Sequence, residues 1–143
     1  MNTYGHSICH YRVEWGGTNI SLNEVSGLNI LVDVVQNHDS ASPAPSPVKM
    51  PGMIHYTNLI FRRPIRNGDN EFYSWMNTIT LNSAERRDIT ISLLDASHSP
   101  VTSWKVKNAF PIRYSGPVLN SNSSNIAIEE LEIAHEGITV EFT

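Results

Sequence analysis

The sequence has little cysteine, little charge and no long apolar run. Cys9 is the only cysteine among 143 residues, so no internal disulfide can form, and we expect its side chain to be buried in a strand. No apolar run approaches the roughly 20 residues that span a bilayer. Residues 1–7 lack the basic and apolar regions of a secretory signal. These absences predict synthesis in the cytoplasm and no membrane partner.

The charge balance argues mildly against one class of partner. Charged residues make up 17% of the chain and the net charge is -4, whereas a dedicated nucleic-acid binder usually carries a basic stripe. The nearest basic clusters are Arg62-Arg63 and Arg86-Arg87, and we expect both pairs to be solvated or to face another subunit. The length suits one domain with a real core, so we expect a single domain over residues 1–143.

Catalytic and metal-binding patterns are also missing. The sequence has no Gly-rich phosphate loop and no Gly-x-Ser-x-Gly turn, and no two of its six histidines are four residues apart on a predicted helix. Glu129, Glu130 and Glu132 could supply a carboxylate pair, but paired carboxylates on a strand are more often a solvated face. The sequence therefore predicts no enzyme, no cofactor and no metal site.

What the sequence does contain is period-2 alternation of apolar and polar residues, which is typical of half-buried strands. Residues 8–23 are predicted to form a hairpin that turns at Gly16-Gly17. Further strands are predicted at Leu28–Val35, Tyr56–Arg63, Asp88–Leu94, Val101–Val106, Ile126–Ala134 and Ile138–Phe142, the last two pairing around Glu136-Gly137. About eight strands and one helix predict a mostly β domain of sandwich or barrel type.

One segment has helical spacing instead. Its apolar residues fall at i, i+3, i+4 and i+7, and they are Phe72, Trp75, Met76 and Ile79. Asp69 or Asn70 can cap the N-terminus. We expect a helix of about three turns whose apolar stripe packs on a sheet.

Residues 37–51 form a Pro/Ser-rich segment between predicted strands. Its prolines are Pro43, Pro45, Pro47 and Pro51, with Ser40, Ser42 and Ser46 between them. Proline removes a backbone donor and fixes φ, so we expect a loop that lies outside any sheet. Loops of this length in compact domains are usually disordered or functional, and we interpret this one as an arm that contacts a neighbouring subunit.

The acidic segment near the C-terminus changes phase. Ile126 and Ile128 occupy even positions, whereas Leu131 and Ile133 occupy odd ones, so a flat strand cannot place both pairs on one face. Either a β-bulge near Glu129-Glu130 resets the phase or both faces of the strand are covered. A bulge would bend the strand, as a curved or closed sheet requires.

Landmarks along most of the chain resemble a known family. In order, they are Val25-Ser26-Gly27-Leu28, Met50-Pro51-Gly52, Asn58-Leu59-Ile60-Phe61-Arg62-Arg63, the helix with Phe72, Trp75 and Ile79, Arg87-Asp88-Ile89-Thr90-Ile91-Ser92-Leu93, Trp104, Asn108-Ala109-Phe110-Pro111 and the acidic strand. Their order and spacing over residues 25–137 resemble the tail-tube proteins of contractile phage tails. The likeness is greatest to the inner-tube proteins of extracellular contractile injection systems, such as antifeeding prophages and the Photorhabdus virulence cassettes.

The resemblance implies two packed antiparallel sheets that form a barrel-like sandwich with one flanking α-helix, as in Hcp-like proteins. It implies that six copies form a ring, that their sheets join into one inner barrel, and that rings stack into a hollow tube inside a contractile sheath. The implied partners are further copies, the sheath protein, baseplate and tube-initiator proteins, a tube terminator, and an effector or DNA in the lumen. The implied location is the bacterial cytoplasm during assembly, then a phage tail or an extracellular phage-tail-like particle.

Ring formation agrees with the strand-rich pattern, because open strand edges invite pairing with another chain and a closed ring removes them. The candidate lumen or subunit-interface residues are Glu129, Glu130, Glu132, Arg62, Arg63, Arg86 and Arg87. A negative lumen wall that includes Glu129 or Glu132 would avoid trapping nucleic acid or acidic cargo. The candidate inter-ring residues are Ser42, Pro43, Pro45 and Pro47.

Three other functions stay open. A tube-initiator ring at the baseplate would share the fold, and copy number per particle would distinguish it from the main tube. An Hcp-like tube protein of a type VI secretion system would also share it. A small β-sandwich binding module, for example a carbohydrate binder, would expose aromatic side chains on a flat face, whereas the tryptophans and phenylalanines here mostly occupy core positions.

Overall fold

Ten β-strands and one short helix make up the described part of the chain. The computed structural model describes residues 5–37 and 48–143. In chain order the strands are β1 (Tyr11–Trp15), β2 (Thr18–Ile20), β3 (Glu24–Ser26), β4 (Ile30–Asn37), β5 (Val48–Tyr56), β6 (Leu59–Pro64), β7 (Arg87–Leu94), β8 (Pro100–Ser115), β9 (Ile128–Ala134) and β10 (Gly137–Phe142). The helix α1 (Glu71–Met76) lies between β6 and β7. None of the helical residues in these ranges forms a segment long and apolar enough to cross a membrane.

The body consists of two antiparallel sheets that share one long strand. In the first sheet, β2, β1, β7, the first half of β8 and β10 lie side by side. In the second, β3, β6 and β9 are followed by the second half of β8. The expected fold, mostly β with two antiparallel sheets and one flanking helix, is confirmed.

β8 bends at the Asn108-Ala109-Phe110-Pro111 segment. Asn108 has a positive φ of 52°, and the register of β8 against β7 shifts by one residue between Val106 and Ala109. These are the marks of a β-bulge, which bends a strand without ending it. The strand predicted to end at Val106 therefore continues to Ser115.

The predicted pairing of the last two strands is wrong. β10 pairs with the first half of β8, and β9 pairs with its second half and with β6. β9 and β10 both run antiparallel to β8, and residues 135–136 carry the chain from the second sheet to the first. The reason is the length of β8, whose 16 residues provide separate partners for both strands.

The core lies between the two sheets and includes two side chains of the helix. Phe72 and Trp75 are fully buried, and Trp15 packs edge-on against them with ring centroids 6.1 and 5.2 Å away. Phe61 from the second sheet lies 6.4 Å from the same Trp15 ring. Burial of each such side chain stabilises the fold by about 1.5–3 kcal/mol, so this aromatic group is what holds α1 on the sheets.

The helix is shorter than predicted. It spans six residues where three turns were expected, and Ile79 lies beyond its end, half-buried. Thr78 donates its hydroxyl to a carbonyl of the last turn at 2.7 Å, which competes with continuation of the helix. Asn70 occupies the N-cap position, but Asp69 supplies the side-chain bond by accepting from the Glu71 N–H at 3.3 Å.

β4 and β5 form a separate two-stranded ribbon, which we call the arm (Ile30–Asn37 and Val48–Tyr56). The expectation of a loop up to Pro51 is wrong, because Pro51 lies in β5 opposite Val34. Each strand of an isolated ribbon has a free edge, and the register irregularity between Val32 and Val34 lies beside the proline, so its missing N–H is tolerated. The candidate inter-ring residues Ser42, Pro43, Pro45 and Pro47 lie outside the described residues.

β9 contains no bulge near Glu129-Glu130. Its register against β6 is unbroken from Ile133 to Ile128. Glu129 instead occupies a buried position on the inward face, in phase with Leu131 and Ile133. Of the two alternatives, the β-bulge is therefore wrong, because the buried charged residue Glu129 takes the inward position that an apolar residue was expected to fill.

Cys9 is exposed, which contradicts its predicted burial. It lies before β1, and its backbone N–H donates to Ser7 Oγ at 3.2 Å rather than to a neighbouring strand. The alternation of apolar and polar residues in the sequence begins at Cys9, two residues before the strand, which starts at Tyr11.

Candidate assembly surfaces

A row of charged side chains crosses the outer face of the second sheet. We call it the charged ladder, and its members are Glu24 (β3), Arg62 (β6), Glu130 and Glu132 (β9) and Arg113 (β8). Arg62 lies 3.4 Å from Glu24 and 3.2 Å from Glu130. Arg113 lies 2.9 Å from Glu130 and 3.0 Å from Glu132. The strand register places opposite charges side by side, so three carboxylates and two guanidiniums give a polar face of small net charge.

Hydrogen bonds keep one member of the ladder ionised. Asn58 donates to Glu132 at 2.9 Å and the Arg113 Nε donates to it at 3.0 Å. The bond from Asn58 has the larger effect and the bond from Arg113 the next larger. Together they hold the pKa of the Glu132 carboxyl below its ordinary value, because they outweigh its partial desolvation. The bond to Glu132 likewise raises the pKa of Arg113. Glu132 therefore presents a fixed negative charge on this face.

The adjacent residues of the same strands form a buried cluster on the inward face. Arg63 is 3% exposed and Glu129 is 6% exposed. The Arg63 Nε donates to one Glu129 oxygen at 2.8 Å, and the Tyr114 hydroxyl donates to the other at 2.8 Å. Desolvation raises the pKa of Tyr114, and its bond to Glu129 adds to that rise.

Two further carboxylates surround the Arg63 guanidinium. Its Nη1 donates to Asp69 at 3.0 Å and lies 3.5 Å from Glu71. Its Nη2 lies 2.9 Å from Asp69 without hydrogen-bond alignment, so that contact is electrostatic only. The guanidinium also stacks on the Phe72 ring at 4.2 Å. Arg63 thus joins β6 and β9 to the start of the helix, and its contacts are internal.

Arg86 and Arg87 lie at two other places. Arg86 lies over the Phe110 ring at 4.7 Å and 3.6 Å from Glu136, beside the bend of β8. Arg87 lies over the Trp15 and Trp75 rings at 5.0 and 4.8 Å. The structure therefore does not bring the seven candidate residues into one site. Glu130, Glu132 and Arg62 share an exposed face, and for them a lumen or interface role stays a prediction.

More than half of the exposed large apolar side chains among the described residues belong to the arm. Every residue of β5 is exposed, and so are the described side chains of β4. Its large apolar members are Ile30, Leu31, Val32, Val34, Val35, Val48, Met50, Met53, Ile54 and Tyr56. By register, Ile30, Val32, Ile54 and Tyr56 share one face near the root and Leu31 lies on the other. An isolated ribbon that is apolar on both faces is typical of an interface segment.

Strands of the body also keep free edges in the described part of the chain. β2 pairs only with β1, β3 only with β6, β10 only with β8, and the second half of β8 only with β9. Free edges present unpaired backbone groups that can join another chain. The arm and the edges together give the chain several surfaces for association.

Sequence reasoning missed Asn58, Arg113, Tyr114 and most of the arm. Arg113 lies in the half of β8 that was not predicted as a strand, so no register connected it to the acidic segment. The arm did have a signal, because Leu31 and Val35 place apolar side chains on the second face of a strand. Within residues 5–37 and 48–143, no group of three or more His, Cys, Asp or Glu side chains is arranged to hold a metal ion.

Comparisons with solved structures agree with the fold. A chain of the PVC sheath–tube complex of an extracellular contractile injection system, in its extended state, is 31% identical with a TM-score of 0.91, and 99% of this chain and 94% of that chain are covered. A chain of the anti-feeding prophage tube-terminating cap is 28% identical with a TM-score of 0.92, over 100% and 95%. Hcp1 from Flavobacterium johnsoniae, at 19% identity and a TM-score of 0.57 over 93% and 95%, shows likeness of fold alone.

Sequence comparison gives the family directly. No curated protein matches the chain. The family model described as T4-like virus tail tube protein gp19 matches residues 7–139, nearly the whole length. The resemblance drawn from the order of landmarks is thereby confirmed, and the chain belongs to the T4-like virus tail tube protein gp19 family.

Proposed function

We propose that this chain is the repeating protomer of the inner tube of a contractile injection system or phage tail. Six copies close into a ring, and rings stack into a hollow tube inside a contractile sheath. Family membership supports the tube role. The observation that carries the proposal is the arm, a ribbon with exposed apolar side chains on both faces.

The arm requires another molecule to cover it. A two-stranded ribbon is marginally stable in water on its own, and beyond the contact of Tyr56 with His135 at its root every described side chain of this one is exposed. Exposed apolar surface of this kind marks a protein–protein contact. In the assembled tube, neighbouring copies bury the arm and complete the free edges of β2, β3 and β10.

The charged ladder is the candidate for the lumen wall or the subunit seam. Glu130, Glu132 and Arg62 are at least partly exposed, whereas Glu129 is buried against Arg63. A polar face of balanced charge would let a cargo of either sign pass without strong adsorption. The test uses tubes assembled from a chain with Glu132→Cys in a Cys9→Ser background. Reaction of the new cysteine with a small thiol reagent but not with a large one would indicate that this face lines the lumen.

The expected partners follow from the tube role. They are the sheath protein, a tube terminator, the baseplate and initiator proteins, and an effector or DNA in the lumen, with assembly in the bacterial cytoplasm before the particle is released. Similar chains occur in a sheath–tube complex and in a tube-terminating cap, which supports the first two. The role is mechanical, and we propose that the chain has no enzymatic activity.

Negative-stain microscopy of the purified chain tests the proposal. We expect rings or hollow tubes, and we expect Val34→Lys with Met50→Lys on the arm to abolish them without unfolding the body. Val118→Lys is the control, because Val118 is an exposed apolar residue, at 95% against 62% for Val34 and 44% for Met50, and it lies outside the arm. A wild-type chain that stays monomeric at high concentration, or an arm variant that assembles as wild type, would contradict the proposal.

Copy number distinguishes the main tube from an initiator ring with the same fold. A main-tube protomer is present in many stacked rings per particle, whereas an initiator contributes one ring. Quantitative mass spectrometry of the native particle against the sheath protein therefore decides between them. A ratio near one protomer per sheath subunit is expected.

A further inference from the structure

The open side of the sandwich contains an apolar groove. It has a volume of about 290 Å³ and lies between β3 of the second sheet and β1, β7 and β8 of the first. Tyr11, Val25, Leu28, Ile91 and Trp104 provide most of its apolar wall, and Glu24 is the only charged residue that lines it. Protein interiors close such spaces by packing, so an apolar groove left open in the isolated chain is a place for a partner.

We infer that the groove receives the outer half of the arm from a second copy of this chain. The inference rests on the proposed function, and it names the two surfaces that meet. By the outer half we mean Val34–Gln36 on β4 with Val48–Pro51 on β5, which pair with each other. This half lies beyond the Asp33–His55 pair at 2.7 Å, farther from the body, and it exposes the apolar side chains of Val34, Val35, Val48 and Met50.

The arm of the same copy cannot fill its own groove. Leu28 lines the groove and the arm starts two residues later, at Ile30. The root is fixed, since Thr57 donates its hydroxyl to the Gly27 carbonyl at 2.8 Å and its N–H to the Asn29 carbonyl at 3.4 Å. At roughly 3.3 Å per residue, Val34 lies about 20 Å along the strand from Leu28. The ribbon would have to reverse direction to return.

Donor and acceptor are different surfaces of one chain, which allows two kinds of assembly. Two copies that exchange arms reciprocally form a two-fold dimer, whereas a copy that gives its arm to one neighbour and receives an arm from another forms a heterologous contact, which closes into a ring or continues as a helix. The proposed tube requires the second arrangement. This agrees with a protomer that must bind neighbours on two sides.

Charge complementarity fixes the register of the arm in the groove. Lys49 is exposed in the outer half of the arm and is the only Lys or Arg of the described arm. Glu24 at the groove shares Arg62 with Glu130, so its charge is only partly compensated. Opposite charges at the rim of an interface set register and exclude wrong alignments. Lys49 of one copy therefore meets Glu24 of the next.

Disulfide trapping between two different chains tests the contact. One chain carries Val25→Cys and the other Met50→Cys, both in a Cys9→Ser background, and only an intermolecular bond can join them when they are mixed and oxidised. A disulfide needs Cα atoms within about 7 Å, so it reports a specific contact. We expect reducible dimers at a yield about tenfold above the control mixture of Met50→Cys with Val118→Cys.

The outcomes separate this inference from the proposed function. Rings in the microscope without dimers above the control would overturn the groove assignment and leave the tube role intact. Neither rings nor dimers at the highest soluble concentration would overturn both. Circular dichroism and thermal unfolding of each single variant confirm that the chains used are folded.

Charge reversal supplies a second test of the register. Lys49→Glu and Glu24→Lys should each weaken self-association about tenfold, and the double variant should recover most of the loss. Lys107→Glu is the control, since Lys107 is exposed on β8 and lies outside the arm and the groove. If the double variant loses as much self-association as the two single variants combined, the two charges do not meet.

Discussion

Arg62 and Arg63 are neighbours in sequence with opposite environments, because successive side chains of a strand point to opposite faces. Arg63 is buried with Glu129, whereas Arg62 is exposed in the charged ladder. We expect Arg63→Met to lower the free energy of unfolding by about 3–5 kcal/mol, since it leaves buried Glu129 without its cation. Arg62→Met, the matched control, should cost less than about 1 kcal/mol. Urea unfolding at neutral pH measures both.

A compensating substitution shows whether the cost comes from the orphaned charge. Arg63→Met combined with Glu129→Leu removes both buried charges and fills their space with apolar atoms. We expect the double variant to recover most of the lost stability, because burying ions costs desolvation that apolar residues do not. A double variant no more stable than Arg63→Met alone would mean that the cluster acts through the geometry of Asp69 and Tyr114 instead.

The Glu132 carboxyl makes the stability of the fold depend on pH. Its folded pKa is lowered by the bonds from Asn58 and Arg113, so its contribution is fully present above the unfolded pKa near 4.5 and is lost as pH falls through the lowered value. We expect Asn58→Ala to flatten the fall in stability below that pH. Urea midpoints from pH 6 to pH 3 compare the two chains. An unchanged slope would show that Asn58 does not hold the charge.

At the scale of elements, the root of the arm depends on one glycine. Gly27 has a φ of +97°, and a Cβ added there would collide with the Asn58 carbonyl oxygen. We expect Gly27→Ala to destabilise the fold by more than about 3 kcal/mol, because strain and collision add. Gly68→Ala is the control, since Gly68 also has a positive φ of 72° but open space around it. Gly68→Ala should lower the free energy of unfolding by only about 1 kcal/mol. Equal losses in thermal unfolding would rule out the collision.

A histidine ties the same root to the turn between β9 and β10. His135 Nδ1 accepts the Gly137 N–H at 3.1 Å, so its Nε2 carries the proton and donates to the Thr57 carbonyl at 2.8 Å. We expect His135→Ala to raise amide hydrogen exchange at residues 54–60 about tenfold, as the loss of about one hydrogen bond predicts. Exposed His10→Ala should leave that exchange unchanged. If amide exchange at residues 54–60 equals that of the wild type in both variants, His135 does not hold the root of the arm.

Elements with local signals could be predicted from the sequence, and elements decided by distant partners could not. The hairpin at Gly16-Gly17 and the alternation of β6 and β7 follow from neighbouring residues. The pairing of β10 with β8 depends on the length of β8, which continues past a bulge at Asn108 that no local pattern predicts. Glu129 entered an inward position because Arg63 on another strand neutralises it. Its phase in the sequence was therefore misleading.

At the scale of the whole molecule, the family could be recognised from ordered landmarks, but the surfaces that assemble could not. The glutamates and arginines chosen as one candidate set separate into an exposed ladder, a buried cluster and two aromatic contacts. The exposure of the arm could not be predicted, because its apolar residues have the pattern of strands that pack in a core. Only the topology places them on a ribbon that the body does not cover.

Salt dependence decides which of these surfaces drives assembly. If the apolar arm does, self-association should change less than about threefold between about 0.1 M and about 1 M NaCl, since salt screens exposed charges but not apolar contacts. Ammonium sulfate should strengthen it, because excluded salts favour apolar burial. Analytical ultracentrifugation across the salt series measures both effects. Assembly held by opposed charged ladders would weaken steadily with NaCl, and the ladder rather than the arm would then be the contact surface.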